Sequence, residues 1–220
     1  MTLMQKMQRY RRALWTWRQP LTLRPLASAV PISDLFVWRC SPEWETFFEL
    51  IDIAALFEDD SHSQHVILVF FDINGRRIFD RKIELNANCR QTLDISLLVG
   101  ANHGEIGTFA VFHSKIPVSV TRLGAFLAER GYISYRYRQS PLKAYVHGNF
   151  DAISKAEDGT LQLLGGSSFQ RREYHLQYNI ESHIHYEFGL VNSSPKRQKY
   201  LCKLISSSSQ KEVGRSEFEL

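Results

Sequence analysis

The chain has 220 residues and a formal net charge of +4, from 27 basic and 23 acidic side chains. Hydrophobic residues make up 44% and charged residues 23%, close to the ~25% of ordinary globular chains, which excludes a chain disordered throughout. No run approaches the ~18 consecutive apolar residues of a membrane helix. The modest charge permits an anionic partner without requiring one, and nucleic acid is not expected as a partner.

The three cysteines, Cys40, Cys89 and Cys202, are far apart and odd in number. This pattern predicts no disulfide framework and favours a reducing compartment, so we expect the protein to be cytoplasmic. The basic N-terminus is not followed by an apolar segment, so no secretory signal is expected.

Residues 1–30 form a basic N-terminal arm, in which no acidic residue occurs before Asp34. Its basic residues are interleaved with Tyr10, Trp15 and Trp17. One interpretation is an arm that contacts an acidic membrane surface. The alternative is an arm that is flexible or docked, because its apolar residues are few and imperfectly spaced for an amphipathic helix.

Residues 31–122 predict a first β-sandwich unit. The predicted strands are Asp34–Cys40, Trp44–Ile53, Val66–Phe71, Arg76–Leu85, Thr92–Leu98 and Thr108–Phe112. The run Val66–Phe71 is apolar throughout, which indicates a strand at the centre of a sheet. Asn74-Gly75 favours a type I′ hairpin, because both residues tolerate positive φ. The returning strand mixes polar and apolar residues, as an edge strand does.

Residues 123–220 predict a second, abbreviated β unit packed on the first. Helix-forming residues from Leu123 to Arg130 predict a short helix that ends at Gly131. The later predicted strands are Tyr132–Arg138, Arg172–Ile180, Ile184–Val191, Tyr200–Ile205 and Gly214–Leu220, with a hairpin tip at Ser206–Ser209. A weak internal repeat would make the two units related, if it is real.

Many short strands, hairpin turns and one or two short helices predict an all-β protein. The expected architecture is an antiparallel β-sandwich with jelly-roll-like layers. Strands and helices do not alternate along the chain, which disfavours a Rossmann or TIM-barrel architecture.

The pattern of strands and turns in residues 66–122 resembles that of a bacterial β-sandwich module. It comprises an apolar strand, the hairpin Asp72-Ile-Asn-Gly75, the run Ile83-Glu-Leu85, the run Thr92-Leu-Asp-Ile95, and the run from Gly107 to Pro117. The arrangement is similar to that of the sensory-rhodopsin-transducer-like proteins. The resemblance implies a β-sandwich fold. That family includes small oligomeric proteins that bind partners or small ligands. The resemblance carries over no catalytic residue.

The segment ESHIHYE predicts a candidate metal site. In a strand, alternate side chains share one face, and here they are Glu181, His183, His185 and Glu187. A pair of histidines separated by one residue can chelate a divalent transition metal, and a carboxylate can complete the set. A further ligand would come from elsewhere, with His147 and His175 as candidates. The alternative interpretation is a polar strand face exposed to solvent.

Two further constellations suggest ligand binding. His147, Asn149 and Asp151 surround Gly148 in a compact polar turn that could hold a sugar, although such turns are also common structural features. Tyr135 and Tyr137 would share one strand face and offer stacking surfaces. The neighbouring arginines 136 and 138 would lie on the other face, which separates stacking from anion binding. The alternative is an aromatic core face with an exposed basic face.

The sequence contains no G-x-S-x-G, phosphate-binding loop, H-E-x-x-H or C-x-x-C motif. We therefore expect a non-catalytic ligand-binding or assembly module without a cofactor, recognising carbohydrate or a carbohydrate-related partner. Its partner would be a small ligand or a protein, and an apolar sheet face would allow a homo-oligomer. The alternative is a cupin-like, metal-dependent enzyme that uses the H-x-H pair.

Overall fold

The structure, a computed structural model, describes residues 31–52, 64–85, 90–114, 128–129, 131–147, 153–156, 158–163, 180–181, 183, 190, 197, 199–206 and 208–219. The N-terminal arm predicted for residues 1–30 lies outside them. Contacts divide the chain into two compact units, Met1–Gly165 and Gly166–Leu220.

The first unit contains twelve of the described strands and a short helix. The strands are β1 (Ile32–Ser33), β2 (Phe36–Arg39), β3 (Trp44–Leu50), β4 (His65–Asp72), β5 (Arg77–Glu84), β6 (Gln91–Asp94), β7 (Ile106–His113), β8 (Ala128–Glu129), β9 (Tyr132–Tyr137), β10 (Lys143–His147), β11 (Ile153–Lys155) and β12 (Leu161–Leu163). Helix α1 spans Ile95–Val99, and a 3₁₀ turn spans Ala101–His103. The described part of the second unit contains the antiparallel hairpin of β13 (Lys199–Ile205) and β14 (Glu212–Glu219).

The strands of the first unit form three four-stranded sheets. Sheet I has the order β10-β9-β3-β6, sheet II the order β2-β7-β4-β5, and sheet III the order β12-β11-β1-β8. One buried cluster joins aromatic and aliphatic side chains of sheets I and II, including Phe48 and Ile133 from sheet I and Phe36, Phe70 and Phe109 from sheet II. All pairs in these sheets are antiparallel except β1 with β8. The prediction of an all-β, antiparallel sandwich is confirmed.

The central position predicted for residues 66–71 is confirmed. Strand β4 pairs with β5 on one side and with β7 on the other. Val66, Leu68 and Phe70 point into the cluster between the sheets. Strand β5 is the last strand of sheet II among the described residues, in agreement with its mixed pattern.

The turn between β4 and β5 differs from the predicted type I′ hairpin. A positive φ of 75° occurs at Gly75 but not at Asn74, whereas a type I′ turn needs both. The side chain of Asp72 explains the difference, because its Oδ1 accepts hydrogen bonds from the backbone N of Asn74 at 2.8 Å and of Arg76 at 2.9 Å. The loop therefore has three residues, and the aspartate determines its shape.

The strand predicted for Thr92–Leu98 is wrong beyond Asp94, where helix α1 begins. Asp94 is the N-cap residue, and its Oδ1 accepts a hydrogen bond from Leu97 N at 3.0 Å. Ile95 and Val99 are four residues apart, so both turn toward the core. The short apolar run suits either conformation, and the capping aspartate favours the helix.

The helix predicted for Leu123–Arg130 is wrong at residues 128 and 129, which form β8. Strand β8 pairs in parallel with β1, so pairing with a distant strand overrides the local helix propensity. The other residues of that prediction lie outside the described ranges. The same holds for the predicted strands at 172–180 and 184–191, apart from Ile180 and Leu190.

Strands from both predicted units pair with each other. Strand β9 pairs with β3, and both β8 and β11 pair with β1. The division observed at Gly165/Gly166 thus lies further along the chain than the sequence-based boundary between residues 122 and 123. The separate second unit contains the β13–β14 hairpin, whose tip lies at the predicted serine run.

Candidate functional site

The face of sheet I opposite the core, here called the outer face, brings together side chains from three strands. Residues that pair across strands share a face, so the register defines three rows. The first row contains Glu45, Arg136 and Lys143; the second contains Phe47, Ser134 and Tyr145; the third contains Glu49, Tyr132 and His147. Successive rows are about 7 Å apart. The outer face is therefore charged at one end and aromatic toward the other.

Two exposed tyrosines dominate the aromatic part of the outer face. Tyr132 and Tyr145 are 52% and 55% exposed. The ring of His147 packs edge-on against Tyr132, with ring centroids 5.2 Å apart and planes at 86°. This contact orients the Tyr132 ring, while Tyr145 stands on the neighbouring strand. Tyr145 is not among the binding residues predicted from the sequence, although the alternation in Lys143-Ala-Tyr-Val-His147 places it on the same face as His147.

A serine hydroxyl lies between the aromatic side chains without a hydrogen bond. Ser134 is fully buried, at 0% exposure, and its Oγ has no partner among the described residues. Its neighbours across the strands are Phe47 and Tyr145. A buried hydroxyl without a partner costs about 1–3 kcal/mol. The Ser134 hydroxyl is therefore an unused polar group on the outer face among the described residues.

The charged row is arranged around one carboxylate. Glu45 accepts a hydrogen bond from Arg136 Nε at 2.7 Å and a shorter one from Arg136 Nη2. It also forms an ion pair with Arg138 Nη1 at 2.9 Å. Lys143 instead places its Nζ 3.6 Å from the centroid of the Phe47 ring. The Arg136 guanidinium also lies over this ring, at 5.1 Å. Both cations thus lie over the Phe47 ring, and the Phe47 side chain is buried on the outer face.

The predicted binding residues Tyr135 and Tyr137 lie on the face of sheet I toward the core, opposite His147. The Tyr135 hydroxyl donates a hydrogen bond to the carbonyl oxygen of Val37 at 2.7 Å, and burial raises the pKa of this hydroxyl. Tyr137 packs against Trp44, with ring centroids 5.3 Å apart. The structure thus separates these two tyrosines from His147.

The other predicted members of the sugar site, Asn149 and Asp151, lie outside the described residues. They follow directly after β10, whose last residue is His147. The outer face and the predicted polar turn therefore share His147 as a common residue.

The predicted metal site is described only in part. Glu181 and His183 are both exposed, with Oε2 and Nε2 3.3 Å apart, and His185 and Glu187 lie outside the described residues. Within the described ranges, no group of three histidine, cysteine or acidic side chains could hold a metal ion. The metal-dependent alternative stays a prediction.

A buried histidine–glutamate pair was not found from the sequence. His113, at the end of β7, and Glu129, in β8, are joined by a hydrogen bond of 2.8 Å between Nε2 and Oε2. Their side chains are 2% and 3% exposed, and His113 Nδ1 has no partner among the described residues. The sequence around each residue has no feature that distinguishes it from other parts of the chain, so it does not predict that the two side chains are in contact.

Comparisons with protein-family models, with curated proteins and with solved structures find no match for this chain. The resemblance of residues 66–122 to the sensory-rhodopsin-transducer-like proteins stays a prediction. In the described part of the chain, none of the helices has the length and apolar character needed to cross a membrane.

Proposed function

We propose that this protein is a non-catalytic carbohydrate-binding module whose binding surface is the outer face of sheet I. The observation that carries the proposal is the pair of exposed tyrosines, Tyr132 and Tyr145, on one sheet face beside His147. The C–H groups of a sugar ring carry partial positive charge and match the negative face of an aromatic ring. The ring hydroxyls then remain free to bond with polar neighbours.

The spacing of the two tyrosines suits one bound saccharide. Tyr132 pairs with His147, so Tyr145 is its diagonal neighbour on the same face. Diagonal neighbours in an antiparallel pair are about 7–8 Å apart. Both tyrosines stand on the β9–β10 ladder, so the separation of their Cα atoms is fixed before a ligand arrives. Such preorganisation reduces the entropy lost on binding.

Isothermal titration of the full chain with a panel of neutral and acidic oligosaccharides tests the proposal. We expect Tyr145→Ala to weaken binding about tenfold, which corresponds to about 1.4 kcal/mol, since one stacking ring is removed. Val146→Ala is the matched control, because Val146 is exposed on the same strand but points to the opposite face. No binding to any saccharide, or equal losses in the two variants, would contradict the proposal.

A further inference from the structure

We infer that the saccharide recognised on the outer face is acidic, with a carboxylate or sulfate group bound by Lys143. The inference rests on the proposed function and specifies its ligand. The first row of the outer face and the adjoining Arg138 and Glu43 place three cations beside two carboxylates, those of Glu45 and Glu43. The local charge is therefore +1, three positive charges against two negative.

The two arginines are already engaged. Glu45 uses Oε2 for Arg136 and Oε1 for Arg138, so both carboxylate oxygens hold guanidinium groups in place. These contacts fix the arginines as a structural ion-pair network. They also leave the positive charge of the row uncompensated, which raises the local concentration of an anionic ligand.

Lys143 is the cation that remains available to a ligand. Its Nζ rests over the Phe47 ring at 3.6 Å and has no carboxylate partner within the described residues. A cation–π contact at a partly exposed site is weaker than a charge-assisted hydrogen bond. The ammonium can therefore leave the ring and bind an anionic group, on a side chain that is long and flexible.

The position of Lys143 relative to Tyr145 makes the two contacts compatible. The two residues are separated by one residue on β10, so they share a face with their Cα atoms about 7 Å apart. A sugar ring stacked on Tyr145 would place a ring substituent on the side of Lys143. Tyr145 thus selects for a sugar ring, and Lys143 selects for its charge.

The experiment compares acidic oligosaccharides with their neutral forms. Titrations of the full chain use oligomers of glucuronate, galacturonate and mannuronate with their methyl esters, and a sulfated galactan oligomer with its desulfated form. We expect at least one acidic form to bind ten or more times tighter than its neutral form, with affinity that falls as salt is raised. A preference among the uronates identifies carboxylate as the bound group, and a preference for the galactan identifies sulfate.

Charge variants assign this preference to Lys143. Lys143→Gln should reduce the ratio of acidic to neutral affinity to about one, and Lys143→Arg should retain a preference. Lys82→Gln is the control, because it removes the same charge from sheet II, where Lys82 pairs with Glu84. Equal affinities of acidic and neutral forms, with binding still lost in Tyr145→Ala, would overturn the inference and leave the proposed function standing. Absence of binding by every form would overturn both.

Discussion

Replacing His113 by leucine tests whether the buried histidine–glutamate pair stabilises the sandwich. Leucine has a similar volume but leaves the Glu129 carboxylate without its 2.8 Å hydrogen bond. Both side chains are at most 3% exposed, so water cannot compensate for the lost contact. Breaking one side of such a pair costs about 3–5 kcal/mol when the remaining group keeps its charge. A lost hydrogen bond to a charged group, about 1.5–3 kcal/mol, sets the lower limit.

The assay is a double-mutant cycle of the wild type, His113→Leu, Glu129→Leu and the double variant. Urea unfolding gives the free energy of unfolding of each, with tryptophan fluorescence as the signal, since Trp38 is completely buried in the core. The double variant has no buried polar group left at this position. We therefore expect it to lose about 1–3 kcal/mol less than the sum of the two single losses.

Two results would contradict a stabilising role of the His113–Glu129 pair. A loss of less than about 1 kcal/mol in His113→Leu would mean that the pair contributes no more than an exposed contact. Additive losses around the cycle would mean that the two side chains act independently despite their distance. In the second case, the cost of each replacement would be explained by packing alone.

Three other predictions concern packing, pH and metal binding. Gly107→Ala should lower the free energy of unfolding by about 3 kcal/mol, because an added Cβ would lie 2.5 Å from Trp38 Cζ2. Gly214→Ala is the control, because the atom nearest to its added Cβ would be 3.6 Å away. It should change the free energy of unfolding by less than about 0.5 kcal/mol in the same urea assay. Tyr135→Phe should cost about 1 kcal/mol at pH 7. Burial raises the pKa of Tyr135 in the folded state, so above about pH 10 the tyrosine ionises first in the unfolded chain. The free energy of unfolding of the wild type is therefore unaffected below about pH 10 and falls by up to about 1.4 kcal/mol per pH unit above it. The difference in the free energy of unfolding between wild type and Tyr135→Phe should narrow as the pH is raised. A gap that widens with pH would contradict this assignment. If the predicted metal site is real, EDTA should lower the melting temperature, a divalent transition metal should restore it, and His183→Ala should abolish the response.

Several strands of the first unit follow from local sequence patterns. Apolar and alternating runs identified β4, β7 and β9, because burial of a strand face imposes these patterns on neighbouring residues. The hairpin at Asp72–Gly75 was also located from its turn residues. Its exact type was not, because a side-chain hydrogen bond from Asp72 outweighs the usual preference of Asn-Gly.

The candidate site was predicted less completely than the strands. The alternation in β9 correctly separates Tyr135 from Arg136, but alternation alone does not say which face meets the core. The structure of sheet I shows which face meets the core, because the Tyr135 hydroxyl donates a hydrogen bond to the backbone of β2. Tyr132, on the opposite face, is exposed. The sequence therefore identified an aromatic strand with two chemically different faces, and the assembled sheet determined which of them meets the core.

Local sequence patterns predict the all-β class, the positions of the principal strands and their turns, since these depend on residues close together in the chain. The choice of pairing partners becomes apparent only in the folded sheets. The pairing of β9 with β3 joins segments more than eighty residues apart and creates the outer face, and the parallel pairing of β8 with β1 replaces a predicted helix. The contact between His113 and Glu129 depends on the same assembly. Backbone hydrogen bonds between strands do not depend on side-chain identity, so the local sequence does not encode the partner, and burial of the common core selects it.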